Sequence, residues 1–325
     1  MSIFDWLVVA AYGFGMLAIG RYYGARTSTT DDYLLGGRNM SPTMIGLSLF
    51  ATLTSTLSYL AVPGEVVKNG PVALCYIFSY PIAALVVGLI LIPAIMRLHA
   101  TSAYELLEGR LGMTGRLLAA SMFTLMRLTW MSAMLFATSD KVLIPLLGLD
   151  PKWGPAIGAV MAVITAIYTA EGGLRAVVVT DVVQSILMLG GAIVVLAVVT
   201  SKLGGVGAWW PKEWLEEWPA VVWFYAPNTR ITVAGIILYQ AIWQICTAGS
   251  DQMAIQRYLA VRDVKSARSS FNINLVTDAI MAGLLGLVGL AVLAYFQAHP
   301  EDLAAGTSAS IDDADKFLPR FIVKG

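Results

Sequence analysis

A chain of 325 residues that is 58% hydrophobic and 13% charged cannot cover a water-facing surface, since soluble domains carry about 25% charged residues. Its formal net charge is zero, which leaves no basic field for nucleic acid. Cys75 and Cys246 lie in different apolar segments and His99 and His299 near helix ends, so neither a disulfide framework nor a zinc site is indicated.

Runs of about 20 apolar residues read as transmembrane helices. In chain order they predict an all-α polytopic membrane protein with eight spans: a leader helix, 3–24, and seven core helices, 41–63, 72–97, 117–147, 154–171, 176–201, 229–250 and 271–297. Residues 1–325 read as a single transmembrane domain. The leader has acidic Asp5 and no basic segment before it, so it reads as a retained helix and not a signal peptide.

Core helix one carries Thr52, Thr54, Ser55, Thr56, Ser58 and Tyr59, and Pro63 and Gly64 are expected to stop it. Hydroxyls at this density have two readings. An unwound backbone in a bilayer must line a cavity or hold an ion, and carbonyl and hydroxyl oxygens suit a hard cation. Small and hydroxyl residues also let helices pack closely.

Arg127 lies inside core helix three, where a guanidinium costs several kcal/mol unless it faces a cavity or a partner. Its planar fork suits a carboxylate. A pair with Asp278, or reach toward the interface, is the alternative. "EGG" (Glu171 to Gly173) reads as a tight turn between core helices four and five. No Lys-Ser/Thr follows it, so no nucleotide is indicated.

Asp181, one turn into core helix five, is placed to offset the helix dipole. The loop 202–228 holds five tryptophans among charged residues and reads as a short amphipathic segment on the membrane surface. Core helix six has a polar break in its middle, "YQAIWQICTAGSDQ". After it, Gln252, Gln256 and Arg257 read as a structural link on the inner side. Asp278 stands inside core helix seven, where ion coupling is also open. An acidic stretch, "IDDADK", follows. A small excess of Arg and Lys in alternate loops places the N-terminus outside.

The interruptions in core helices one and six lie five spans apart. Paired interrupted helices mark the inverted-repeat transporter plan, with binding at the breaks. Three stretches carry a resemblance in order and spacing: "DYLLGGRNMSPTMIGLSLFATLTSTLSYLAVPGE", "YTAEGGLRAVVVTDVVQ" and "GSDQMAIQRYLAVRDVKSA". They resemble the sodium:solute symporter family, which includes sodium–sugar, sodium–proline and sodium–sialic acid carriers.

The resemblance implies an inverted-repeat, LeuT-like transporter fold with an extra N-terminal leader helix. It implies sodium-coupled symport by alternating access, in a multi-pass protein of the cell membrane. By position, the family's sodium site takes backbone carbonyls at Ala51 and Thr54, and Asp181 matches an Asp that serves a second sodium or the inner gate. The remaining ligands lie on a core helix eight. The sequence ends at "FLPRFIVKG", so the second repeat reads as truncated and the 325 residues alone are expected to transport weakly or not at all.

Substrate positions of the family fall at Leu53, Ser55, Leu57, Ser58, Gln244 and Asp278. Sugar carriers have Glu, Gln and Lys where this chain has Leu57, Ser58 and Asp278, which speaks against a hexose. Sialic acid carriers use an arginine on the helix that bears Arg127, so a carboxylate-bearing solute is expected. The partners implied are a small organic solute, Na+ and the lipid bilayer, with no cofactor, nucleotide or nucleic acid. A transporter-like solute sensor and an inactive truncated fragment are the alternatives. An enzyme is disfavoured by the absence of a nucleophile motif or cofactor fingerprint.

Overall fold

A computed structural model describes residues 3–97, 102, 104–303 and 314–324. His99 and the first part of the acidic stretch lie outside them. The chain is helical because groups in hydrocarbon have no water to bond, and a helix pairs each N–H with a carbonyl of its own segment. The helices are α1 (Ile3–Gly24), α2 (Thr30–Leu35), α3 (Pro42–Leu53), α4 (Thr56–Asn69), α5 (Tyr80–Val86), α6 (Ile92–Arg97), α7 (Glu105–Thr138), α8 (Ile144–Leu147), α9 (Gly154–Lys202), α10 (Val233–Ser250), α11 (Gln252–Leu259), α12 (Val264–Ala298) and α13 (Ala314–Lys324).

Among the described residues, five helical runs are long and apolar enough to cross a membrane: Leu57–Arg97, Leu111–Thr138, Pro151–Lys202, Val233–Ser250 and Val264–Ala298. The 41 residues of the first and the 52 of the third exceed what one crossing needs, about 20 residues. Large apolar side chains stand exposed along α1, α7 and α9, among them Phe14, Leu118, Leu125 and Val194. They face lipid in a multi-pass integral membrane protein.

Three expectations need correction. Pro63 and Gly64 do not stop a helix: α4 runs through both and ends at Asn69. The break expected in the polar stretch "ATLTSTLSY" of core helix one is there, at Thr54 and Ser55. A proline in a membrane helix is tolerated where neighbours cover the freed backbone. Here Gly289 of α12 lies so close that an added Cβ would stand 2.5 Å from the Pro63 carbonyl oxygen.

α10 likewise runs unbroken through Gln244 to Ser250, and its interruption is the single extended residue Asp251 (φ −74, ψ 124). The loop after α9 holds only a 3-10 turn, Val206–Ala208, in place of an amphipathic segment. Two of its tryptophans are buried anchors: Trp209 donates to Thr200 Oγ1 at 2.9 Å and Trp218 to the Val67 carbonyl at 2.9 Å.

The chain divides into two compact units. The first comprises Met1–Thr52, Gly88–Gln184 and Thr247–Ile273. Its core holds Ile45, Leu49, Phe50, Tyr258 and Phe271, all within 1% of full burial. Polar ties fix the short α2 segment. Tyr33 donates to the Ala170 carbonyl at 2.7 Å, Arg175 to the Gly36 carbonyl at 3.1 Å, and Gln256 to the Leu34 carbonyl at 2.6 Å. The "EGG" turn is real: α9 is continuous by hydrogen bonding but reorients at Gly173 (φ 61, ψ −168).

The second unit comprises Leu53–Val87, Ser185–Cys246 and Asn274–Gly325. Its core gathers Val66, Val67, Val199, Trp209, Trp218, Val288, Phe296, Phe317 and Phe321. The segment before α5 is wound as a 3-10 helix, Gly70–Ser79, which the sequence reading merged into one span.

Two outcomes follow from this local chemistry. Gly173→Ala forces a Cβ into backbone that L-residues avoid, 2.9 Å from Tyr33. The cost is about 1–3 kcal/mol, measurable as a lower thermal midpoint of the purified protein in detergent. Asp263 caps α12 through the Ser266 amide at 2.7 Å, and that backbone hydrogen bond, helped by the Ser266 hydroxyl and Arg262, holds its carboxyl below the usual range. A depressed carboxyl stabilises the fold above its unfolded pKa of about 3.9, and the contribution is lost as pH falls through the folded value. Asp263→Ala therefore lowers the midpoint near neutral pH, and the gap from wild type narrows in acid. A gap independent of pH would show that the charge of Asp263 does not matter.

Candidate functional site

In the first unit, α3 turns Ile45, Ser48 and Leu49 inward at helical spacing. Ser48 is fully buried and sits beside Asp181 of α9 and Arg257 of α11. Arg257 Nη2 bonds Asp181 Oδ2 at 2.9 Å, and Arg257 Nε donates to Ser48 Oγ at 2.7 Å. The Ser48 hydroxyl in turn donates to Asp181 Oδ2 at 2.5 Å. Arg257 Nη1 reaches the Met253 carbonyl at 3.0 Å, and Thr52 Oγ1 stands 3.4 Å from Asp181 Oδ2.

The result is a closed network in which a buried acid and a buried base answer each other. Asp181 thus binds side chains of other helices. The dipole-offsetting role at a helix start does not arise, because α9 is helical for seven residues between Gly173 and Asp181. Of Gln252, Gln256 and Arg257, expected as a link at the inner surface, Gln256 and Arg257 do tie helices together, but Arg257 does so from the interior, 3% exposed.

Arg127 of α7 does not pair with Asp278. Its Nη2 forms an ion pair with Asp251, the residue that interrupts α10 and α11. Asp251 also caps α11, accepting from the Met253 amide at 2.9 Å. An extended residue frees its side chain from the helix surface, which lets one carboxylate serve both. The Arg127 guanidinium lies 5.3 Å from the Phe123 ring centroid. Its Nε and the nearby Tyr104 hydroxyl are buried without a hydrogen-bond partner among the described residues.

In the second unit, α4 begins at a capping box. Ser55 (φ −96, ψ 165) accepts from the Ser58 amide at 3.1 Å, and Ser58 Oγ accepts from the Ser55 amide at 3.4 Å. Thr54, in the interruption, donates to Asp278 Oδ1 at 3.4 Å. Tyr80, the first residue of α5, donates its phenol to Asp278 Oδ2. Leu57 lies in the first turn of α4, half-buried like Leu53, and Gln244 is buried on α10. Ala51 is half-buried near the end of α3.

Sequence reasoning thus named Thr54 and Asp278, which meet, and Ser55 and Ser58, which meet. It missed Ser48, Tyr80 and the role of Asp251. Arg257 carried a usable signal: an arginine among "AIQRYLAV" with no adjacent acid needs a distant one. Tyr80 carried none, since aromatic residues are common in spans.

Breaking the Arg257–Asp181 pair from one side leaves an unanswered buried charge. Arg257→Met is expected to cost about 3–5 kcal/mol. Combining it with Asp181→Asn restores much of the loss, because the stranded carboxylate is gone. Thermal midpoints of the two single variants and the double variant test this. Additive losses would mean that the pair is not coupled.

The chain matches the sodium:solute symporter family over residues 33–324. It is 28% identical over 326 residues to the sodium/sialic acid symporter SiaT of Proteus mirabilis, covering 98% of this chain and 63% of that one. To the sodium-coupled monocarboxylate transporter 1 of Xenopus laevis it is 29% identical over 330 residues, covering 98% and 50%. A solved structure of a Na+-coupled sialic acid symporter, substrate-bound and outward-open, superposes with a TM-score of 0.81 at 26% identity, covering 99% of this chain and 66% of that one. The chain therefore spans half to two-thirds of the length of these proteins and shares their inverted-repeat fold. With a match that runs from α2 through α13, it belongs to the sodium:solute symporter family.

Proposed function

We propose that the protein carrying this chain is a sodium-coupled symporter of a small, carboxylate-bearing organic solute. The observation that carries the reading is the interruption at Thr54 and Ser55 within an apolar helix, in a chain of this family. Backbone that leaves the helix at membrane depth is tolerated where it is buried in protein or lines a cavity, and a cavity is the reading taken here. Sodium is assigned to the Ala51 and Thr54 carbonyls, with Asp181 as a further acidic group. Solute contacts are assigned to Leu53, Ser55, Leu57, Ser58, Gln244 and Asp278. Transport proceeds by alternating access, drawn inward by the sodium gradient and by a membrane potential worth about 2.3 kcal/mol per charge per 100 mV.

The carboxylate preference rests on Arg127. Asp251 holds one edge of the guanidinium, while Nε has no hydrogen-bond partner among the described residues. That N–H can donate to a solute carboxylate without displacing Asp251. Relatives named for sialic acid and for monocarboxylates are in keeping with this choice.

Uptake into vesicles holding the full-length protein tests both halves. Uptake is expected with external sodium and not with potassium. Carboxylates are expected to compete better than their amides. Arg127→Gln is expected to weaken that competition about tenfold or more, as a hydrogen bond to a charged group contributes about 1.5–3 kcal/mol. Sodium-independent uptake would remove the symport reading. Equal inhibition by acids and amides would remove the carboxylate.

A further inference from the structure

Three of the acids within or near the spans make an instructive comparison. Asp181 is met by Arg257 and Asp251 by Arg127. Among the described residues, the partners of Asp278 are hydroxyls, from Thr54 and Tyr80. It is the sole acid of α12, set fourteen residues from the helix start. Among the described residues no Lys, Arg or His pairs with it. The other titratable group facing it is the phenol of Tyr76, whose ring stands edge-on to that of Tyr80 at 6.2 Å.

A carboxylate at this depth without a cation costs several kcal/mol. Two hydroxyl donors fill only part of its acceptor capacity, about four lone-pair sites. Each hydroxyl that donates to Asp278 still has lone pairs of its own to offer. The group is therefore a negatively charged set of oxygens from a carboxylate, an aliphatic hydroxyl and a phenol, the donor type that hard cations take.

We propose that Asp278, Thr54 and Tyr80 bind a sodium ion through their side-chain oxygens, as a site additional to the one assigned to backbone carbonyls. The proposal rests on the symport reading, and it gives the coupling ion a specific side-chain counter-charge. Substituting a side chain here leaves the carbonyl ligands in place. Thr54→Val, for example, removes the hydroxyl and keeps the Thr54 carbonyl position.

The test is a sodium chloride titration of the purified full-length protein, with potassium chloride holding ionic strength constant and the thermal midpoint as readout. Wild type is expected to be stabilised by sodium. Asp278→Asn, which keeps the shape and removes the charge, is expected to raise the half-saturating sodium concentration about tenfold or more, the loss of a hydrogen-bonded charged contact. Thr54→Val and Tyr80→Phe are expected to shift it in the same direction by less, and they keep the proposal testable if Asp278→Asn does not fold. An unchanged sodium midpoint in these variants overturns the proposal and leaves symport standing. No sodium stabilisation of wild type overturns both.

Discussion

Groups that carry a hydrogen bond or a charge at membrane depth can be answered only by the protein itself. That constraint accounts for the helices, and it also accounts for the exceptions to them. Where α3 gives way to α4, Ser55 and Ser58 exchange hydrogen bonds with each other's backbone. Where α10 gives way to α11, Asp251 caps the new helix with one oxygen and takes Arg127 with the other. Both interruptions are closed by side chains a few residues away or by one arginine from another helix.

The charges obey the same rule with longer reach. Arg257 and Asp181 lie 76 residues apart in sequence and meet with Ser48 between them. The serine accepts from the base and donates to the acid, so a single hydroxyl satisfies both and fixes their separation. Such a network adds little net stability, because both charges lose their water. What it does fix is geometry: α3, α9 and α11 are held at one mutual setting by groups that tolerate no vacancy.

Much of this was legible in the sequence, and the limits are physical. Composition and apolar run length gave the membrane and the helices, because hydrocarbon thickness sets span length. Hydroxyl density located the first interruption, which lies within "ATLTSTLSY" at Thr54 and Ser55, but the proline was wrongly expected to end the helix. Pro63 reads as a stop in water, where nothing covers the backbone it frees; beside Gly289 it is tolerated. Arg127 was expected to need an acid and has one, but of the available carboxylates the reading weighed Asp278 and the structure uses Asp251. Sequence tells that an intramembrane charge must be answered. It does not tell by which residue, since partners are set by packing across helices with no fixed spacing.

The capping box at Ser55 has a bearing on ion affinity. Helix starts leave free amides that usually need outside help, and a binding site built on such a start can be disordered until its ligand arrives. Here the two serines satisfy each other without recruiting any third group. Two of the amides at the start of α4 are thus answered within its first turn, before any ligand arrives. A group that binds beside this helix start has no need to supply those two hydrogen bonds itself.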